Sequence, residues 1–524
     1  MEVEQWQLLQ LVVLGYLVVS IEALNRSSFP ADFIFGAGSS AYQCEGAAYM
    51  DGKGPSIWDT FAKLHPEKIL DHRDGNIAED FYHHYKEDIA LMKQLGLDSF
   101  RFSISWSRVL PKGKLSRGVN QQGVDFYNNL IDELISNGIQ PFVTLLHYDP
   151  PQALEDEYGG FLSPSIVDDY VDYADFCFKE FGDRVKYWVT INEPNLFSSN
   201  GYAASTGPPC RCSDYVDENC KVGNSGTEPY VAVHHMLLCH AFAVKLYREK
   251  YQEIQKGVIG ISVLAEWKVP KYQTSSCLKA ASRAMDFQFG WIFNPVTFGD
   301  YPRTMRSIVG HRLPRFTKAQ SKTLKGSYDF LGVNYYTAYY VEDAAFSSNV
   351  NLSYTTDNHV NLTTEKNGIP LGQPTSYEGY YFYPEGIEEL VLYIKWKYKN
   401  PLVYITENGL LDVRNSSLSI EDSLKDELRI SFHHQHLAYL LKAIKDNGAN
   451  VGGYYLWSFM DDFEWEFGYT VQLGINYVDF NDGLKRYSKN SALWFKKFLQ
   501  NKDLSIVLKI ESNRSFDWLN QELD

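Results

Sequence analysis

Two patterns of apolar residues alternate along this chain. In short runs, β-branched and aromatic residues stand side by side, while in the longer stretches between them apolar positions recur every three or four residues. The runs “DFIFGAGSSAY” from Asp32, “SFRFSISWS” from Ser99, “QPFVTLLHY” from Gln140 and “VKYWVTIN” from Val185 read as strands. So do “GVIGISVLAEW” from Gly257, “DFLGVNYYTAYYV” from Asp329, “PLVYITE” from Pro401 and “VGGYYLWSF” from Val451. Segments such as “NIAEDFYHHYKEDIALMKQLG” and “QQGVDFYNNLIDELISNG” carry helical spacing, the second ending at a glycine that stops it. Strands alternating with helices imply an α/β fold with a parallel sheet, and eight strands close a single (β/α)8 TIM barrel with long loops at its C-terminal face. That face carries the active site in such barrels. Here “LLHYD”, “TINEP”, “NYYT”, “ITENG” and “LWSFMDDFEWEFG” all fall at strand ends. The polar stretch over residues 344–376 reads as a solvated surface loop between the sixth and seventh strands.

The chain has 524 residues, a length that one large barrel with insertions would use. Residues 1–23 stand apart. The apolar run over residues 8–21, followed by Ala23, reads as a secretory signal peptide, leaving residues 24–524 as the barrel domain. Glu2 and Glu4 occupy the place where positive residues are usual, and an uncleaved anchor is the rival reading. Asn-X-Ser/Thr sequons at Asn25, Asn351, Asn361, Asn415 and Asn513 fit passage through the secretory pathway, towards the extracellular space, cell wall or vacuole. Of seven cysteines, Cys212 and Cys220 close a short loop and form the expected disulfide. A zinc site using Cys210, Cys212 and Cys220 is the alternative.

The net charge of −16 argues against a nucleic-acid partner, whose phosphates need a basic surface, and against a basic membrane-binding patch. A neutral or cationic small molecule fits better, and once the signal is removed no membrane association is expected. Composition leaves a homo-oligomer open.

Two of the strands end in a glutamate beside an asparagine, Glu193 in “TINEP” and Glu407 in “ITENG”. Two carboxyl groups flanking one substrate bond are what glycoside hydrolysis requires. One protonates the leaving oxygen, and the other attacks the anomeric carbon or activates water. They must hold different protonation states at one pH, so their surroundings must differ. Arg101 and Tyr336 are the candidates for keeping one of them ionised. The residues alone leave the two roles unassigned.

The stretches “FPADFIFGAGSSAYQCEGA”, “FRFSISWSR”, “TINEPN”, “VNYYT”, “ITENG” and “LWSFMDDFEW” occur in this order. On them the chain resembles glycoside hydrolase family 1, in particular the plant-type β-glucosidases, over nearly all of the proposed mature sequence. The resemblance implies a retaining mechanism through a covalent glucosyl-enzyme, with a small β-glucoside as substrate and neither cofactor nor metal. It makes Glu193 the acid/base and Glu407 the nucleophile, with their carboxyl groups about 5 Å apart. Gln43, His147, Asn192, Tyr336, Glu464 and Trp465 then hold the sugar, and Trp457 stacks beneath it. Two places depart from the family's pattern. Where the family usually reads His-Trp-Asp-Leu-Pro, this chain has “HYDPP”, with Tyr148 and Pro150. Where it usually places a tryptophan on the aglycone wall, this chain has Gly379, with Tyr377, Tyr380 and Phe382 available to fill the space.

Glucosyl transfer to an acceptor alcohol, hydrolysis of a non-sugar substrate and sugar binding without turnover are the competing functions. The intact glutamates oppose the last, and the sugar-holding residues oppose the second. The “HHQH” run at 433–436 lies on a helical segment where at most two of the histidines share a face, so packing is expected rather than a metal site. Glu45, Asp461, Cys44 and Trp106 are expected to serve structure.

Overall fold

A computed structural model describes residues 24–344 and 351–501. The proposed signal segment and Asn513 lie outside the described residues. The eight expected strands all form: β1 (Ile34–Gly38), β2 (Ser99–Ser103), β3 (Gln140–Leu146), β4 (Tyr187–Asn192), β5 (Val258–Leu264), β6 (Phe330–Asn334), β7 (Val403–Asn408) and β8 (Val451–Trp457). They pair in parallel around a closed barrel in which β8 returns to lie beside β1. The strands are buried on both faces, which is why they read as continuous apolar runs rather than alternating ones. Gly36 in β1 shows how tight the closure is, since a Cβ there would come 2.4 Å from the Tyr455 ring and 2.7 Å from the Ser99 carbonyl.

The lower half of the barrel is filled by Phe142, Val189, Phe330, Tyr404 and Tyr455, with Phe142 and Tyr455 ring centroids 5.0 Å apart. The Tyr455 hydroxyl is satisfied within this aromatic plug by Ser99 at 2.9 Å.

Helices cover the outside, among them α1 (Phe81–Leu95), α2 (Gln121–Ser136), α3 (Ser165–Phe181), α4 (Glu228–Lys250), α5 (Glu385–Lys397), α6 (Glu427–Lys445) and α7 (Asn490–Leu499). α1 begins at Phe81, later than its apolar pattern implies, because Ala78 and Asp80 adopt positive φ just before it. α2 ends as expected, at Asn137 followed by Gly138 with φ +76°.

The stretch after β6 is not a plain solvated loop. Val360–Thr363 pairs with Ala338–Asp343, and Gln373–Pro374 pairs with Tyr381–Phe382. Tyr354 stacks on Trp291, while Asp357 is bound by Arg312 at 2.7 Å and by Tyr230. Its polar composition hides these few anchoring side chains.

Cys212 and Cys220 form the expected disulfide, with Cα atoms 5.6 Å apart. Cys210 stays out of it, its sulfur 3.1 Å from the Ser205 hydroxyl. Glu45 receives Arg108 and Tyr127 at 2.8 and 2.6 Å, and Asp461 receives Lys489 at 2.7 Å. Trp106 is buried and stacked on Tyr173, and Cys44 is buried. His433, His434 and His436 are all buried in α6, where His433 meets the Tyr454 hydroxyl at 2.8 Å. Among the described residues no helix is long and apolar enough to cross a membrane.

Candidate active site

Parallel strands that end together bring residues distant in sequence to one rim. Arg101 on β2, Asn192 on β4, Asn334 on β6 and Glu407 on β7 point their polar groups into the upper barrel and bond to one another. Glu193, one residue past β4, takes φ +44° and joins them. A left-handed conformation is strained for a glutamate, the more so before Pro194, and such strain is characteristic of functional positions.

The network is ordered by charge. Arg101 is completely buried; its Nη1 donates to Glu407 Oε1 at 2.6 Å and its Nη2 to Asn192 Oδ1 at 2.7 Å. Tyr336 donates its hydroxyl to Glu407 Oε2 at 2.6 Å. Asn334 Nδ2 lies 2.7 Å from Glu193 Oε1 and 3.0 Å from Asn192 Oδ1, and its own Oδ1 accepts from Thr406 at 2.6 Å. Glu193 Oε2 accepts from the Tyr148 hydroxyl. Because Asn192 Oδ1 takes the Arg101 donor, its Nδ2 faces His147 Nε2 at 3.1 Å, so that ring nitrogen accepts and the imidazole proton sits on Nδ1. Burial, reinforced by the Arg101 charge, holds His147 well below the usual histidine range, so the ring is neutral.

The two glutamates differ in their partners. Burial and then the neighbouring Glu407 charge push Glu193 up to about 8, and its two bonded donors, Tyr148 and Asn334, are neutral. Burial raises Glu407 as well, but the Arg101 guanidinium and the Tyr336 hydroxyl oppose it directly. The pair's proton therefore belongs to Glu193, and Glu407 is the carboxylate.

Above them opens a cavity of about 400 Å³. Its inner wall holds His147, Tyr148, Glu193, Tyr336, Glu407, Trp457, Glu464 and Trp465. Arg101, Asn192 and Gln43 stand behind that wall, buried; Gln43 reaches it through Glu464, donating from Nε2 to Oε2 at 3.1 Å. The Trp457 ring lies nearly parallel to His147 at 5.6 Å and makes a flat apolar floor. Among the described residues His147 Nδ1 has no protein partner, a buried donor left available on the cavity wall. All the sugar-site candidates thus converge on one place, although Gln43 and Asn192 act from behind it.

The outer wall includes Phe197, Glu266, Tyr339, Tyr377, Tyr380 and Phe467. Tyr377 and Tyr380 line the cavity, but the space beside Gly379 stays open, a Cβ there meeting nothing within 4 Å, and Phe382 does not line the cavity. Phe382 is instead buried against Leu410 and Phe432. Gly379 itself takes φ +78°, a turn conformation that suits glycine. Asn334 and Tyr148 were not among the sequence candidates for the site. Asn334 had a signal in its place at the end of β6, within “VNYYT”.

The model of glycosyl hydrolase family 1 matches residues 25–504. Beta-glucosidase 17 of Arabidopsis thaliana is 60% identical over 479 residues, covering 91% of this chain and 92% of that protein. Raucaffricine-O-beta-D-glucosidase of Rauvolfia serpentina is 52% identical over 491 residues, 90% of this chain and 91% of that one. A mutant of the rice β-glucosidase Os3BGlu6, solved in covalent complex with glucose, superposes with a TM-score of 0.89 at 47% identity, over 91% of this chain and 99% of that one.

Proposed function

The chain belongs to glycosyl hydrolase family 1 and is a retaining β-glucosidase, and we propose that in this reaction Glu407 is the nucleophile and Glu193 the acid/base. One observation carries the assignment: among the described residues the only cation bonded to either carboxyl, Arg101, sits on Glu407. The Glu407 carboxylate attacks the anomeric carbon while Glu193 gives its proton to the glycosidic oxygen, and the aglycone leaves as an alcohol or phenol. The new ester cancels the charge on Glu407, which removes one of the two causes holding Glu193 up. Glu193 then accepts a proton from the incoming water, whose oxygen attacks from the face the aglycone left. Glucose departs with its original configuration.

The Trp457 floor and the polar groups of His147, Glu464 and Trp465 suit the sugar, and the aromatic outer wall suits a flat aglycone. Membership among β-glucosidases favours water over an alcohol as acceptor. The apolar run at 8–21 and the sequons support a secreted glycoprotein. Asn351, Asn361 and Asn415 are exposed and Asn25 is half-buried.

The assignment is tested with a 2-deoxy-2-fluoro-β-glucoside bearing a dinitrophenolate leaving group, followed by peptide mass mapping. The label is expected on Glu407. Label on another residue, or hydrolysis that survives Glu407→Gln, overturns it.

A further inference from the structure

The residue at the end of β3 that departs from the family pattern does more than replace a ring. Tyr148 takes φ +70°, a left-handed conformation that is unfavourable for a residue with a side chain. Its ring is held between Phe197, nearly parallel at 5.8 Å, and Trp465 at 5.0 Å. The outcome of this arrangement is one hydrogen bond, from the Tyr148 hydroxyl to Glu193 Oε2. Two strand-end residues, each in the left-handed region, thus meet at the acid/base carboxyl.

We propose that Tyr148 is a positioning residue for the second half-reaction, its hydroxyl donating to Glu193 so that the carboxylate form remains accessible in a buried site. This rests on Glu193 being the acid/base. The physical need is plain from the surroundings. Glu193 must be protonated to release the aglycone and ionised to activate water, yet burial favours the neutral form alone. The charged and titratable groups facing it are Glu407 on β7, Arg101 on β2, Tyr336 after β6, His147 on the β3 end, and Glu464 after β8. Arg101 is committed to Glu407, His147 is neutral, and Glu464 adds repulsion. Tyr148 and Asn334 are left to stabilise the ionised form directly. Burial and the Glu193 charge raise the Tyr148 phenol well above its usual range, so it stays a donor at every working pH. No proton is transferred from it. The hydroxyl shares its hydrogen with Oε2, and the bond strengthens when Glu193 gives its own proton to the leaving oxygen.

Tyr148→Phe removes one oxygen and keeps the packed ring. With dinitrophenyl β-glucoside, whose leaving group needs no proton, kcat/KM reads the first step and kcat the second. The variant is expected to keep kcat/KM within about twofold and lose about tenfold in kcat, with the pre-steady-state burst counting folded sites. With an unactivated alkyl glucoside, the alkaline limb of kcat/KM is expected to move up by about one pH unit, because a donor that stabilised the ionised acid is gone. An unmoved limb, or kcat and kcat/KM falling in parallel, overturns the proposal. Glu193→Gln separates this from a failure of the underlying assignment. If that variant turns over the alkyl glucoside like the wild type, the acid/base reading itself falls and Tyr148 with it. If it fails there while Tyr148→Phe matches the wild type, only the proposal for Tyr148 is lost.

Discussion

Arg101 Nη1 lies 2.6 Å from Glu407 Oε1, an ion pair with both partners buried, joining residues 306 positions apart. The cation opposes the effect of burial and favours the ionised form of Glu407, the form the proposed nucleophile needs. Removing it in Arg101→Met leaves an unpaired buried acid, at a cost of about 3–5 kcal/mol if that acid stays charged. Glu407 is expected to protonate instead. The acid limb of kcat/KM should move up, with activity near neutrality falling at least about a hundredfold. A pH–rate profile together with a thermal melt reads both effects.

With Glu193 as the proposed acid/base, the alkaline limb is expected to follow its titration. Activity on an unactivated glucoside requires its proton, and the group is pushed up to about 8. Below that pH the acid is present; above it, kcat/KM is expected to fall about tenfold per pH unit. For dinitrophenyl β-glucoside, which departs without protonation, the same limb should be absent. Profiles of the two substrates on one enzyme preparation decide the matter.

Asn334 joins the two halves of the site, donating to Glu193 at 2.7 Å and towards Asn192 at 3.0 Å. In Asn334→Ala, Glu193 loses one of its two donors and Thr406 loses its acceptor. A drop of about ten- to a hundredfold in kcat is expected, with an upward shift of the alkaline limb. Wild-type kcat in this variant would remove Asn334 from the mechanism.

Tyr380 and Tyr377 line the cavity and pack against the apolar cluster that includes Trp457. In Tyr380→Ala, KM for an aryl glucoside with a large flat aglycone is expected to rise about five- to tenfold. KM for methyl β-glucoside should stay within about twofold. Equal losses on both substrates would place Tyr380 in the sugar site or in the fold.

The strands were legible because a closed barrel buries both faces of every strand, and the sequence writes that burial as continuous apolar runs. Glu193 and Glu407 were legible because a carboxyl group at the end of such a run breaks the pattern. Their difference was not legible, since it depends on which carboxyl the Arg101 fork reaches across the barrel. Tyr148 was visible as a departure but not as a partner of Glu193, because that contact needs two left-handed backbones to converge. Phe382 shows the opposite limit: its position after Gly379 was readable, while its burial against Leu410 and Phe432, both from later parts of the chain, was not. The anchors of the stretch after β6, Tyr354 and Asp357, bind residues from distant elements, which local polarity does not reveal.

Closure of the barrel orders events during synthesis. β8 seals the sheet between β7 and β1, and the bond from Gln43 to Glu464 spans 421 positions of the chain. At ribosomal speeds of about 5–20 residues per second, β1 waits roughly 20–80 s for its partner. Until Val451 emerges, a nascent chain carries β1 and β7 as two unpaired edges, templates for joining another unfinished copy. It also lacks Trp457 and Glu464 at the cavity wall. Closure of the sheet and completion of the cavity wall therefore both wait for the last strand and the loop that follows it.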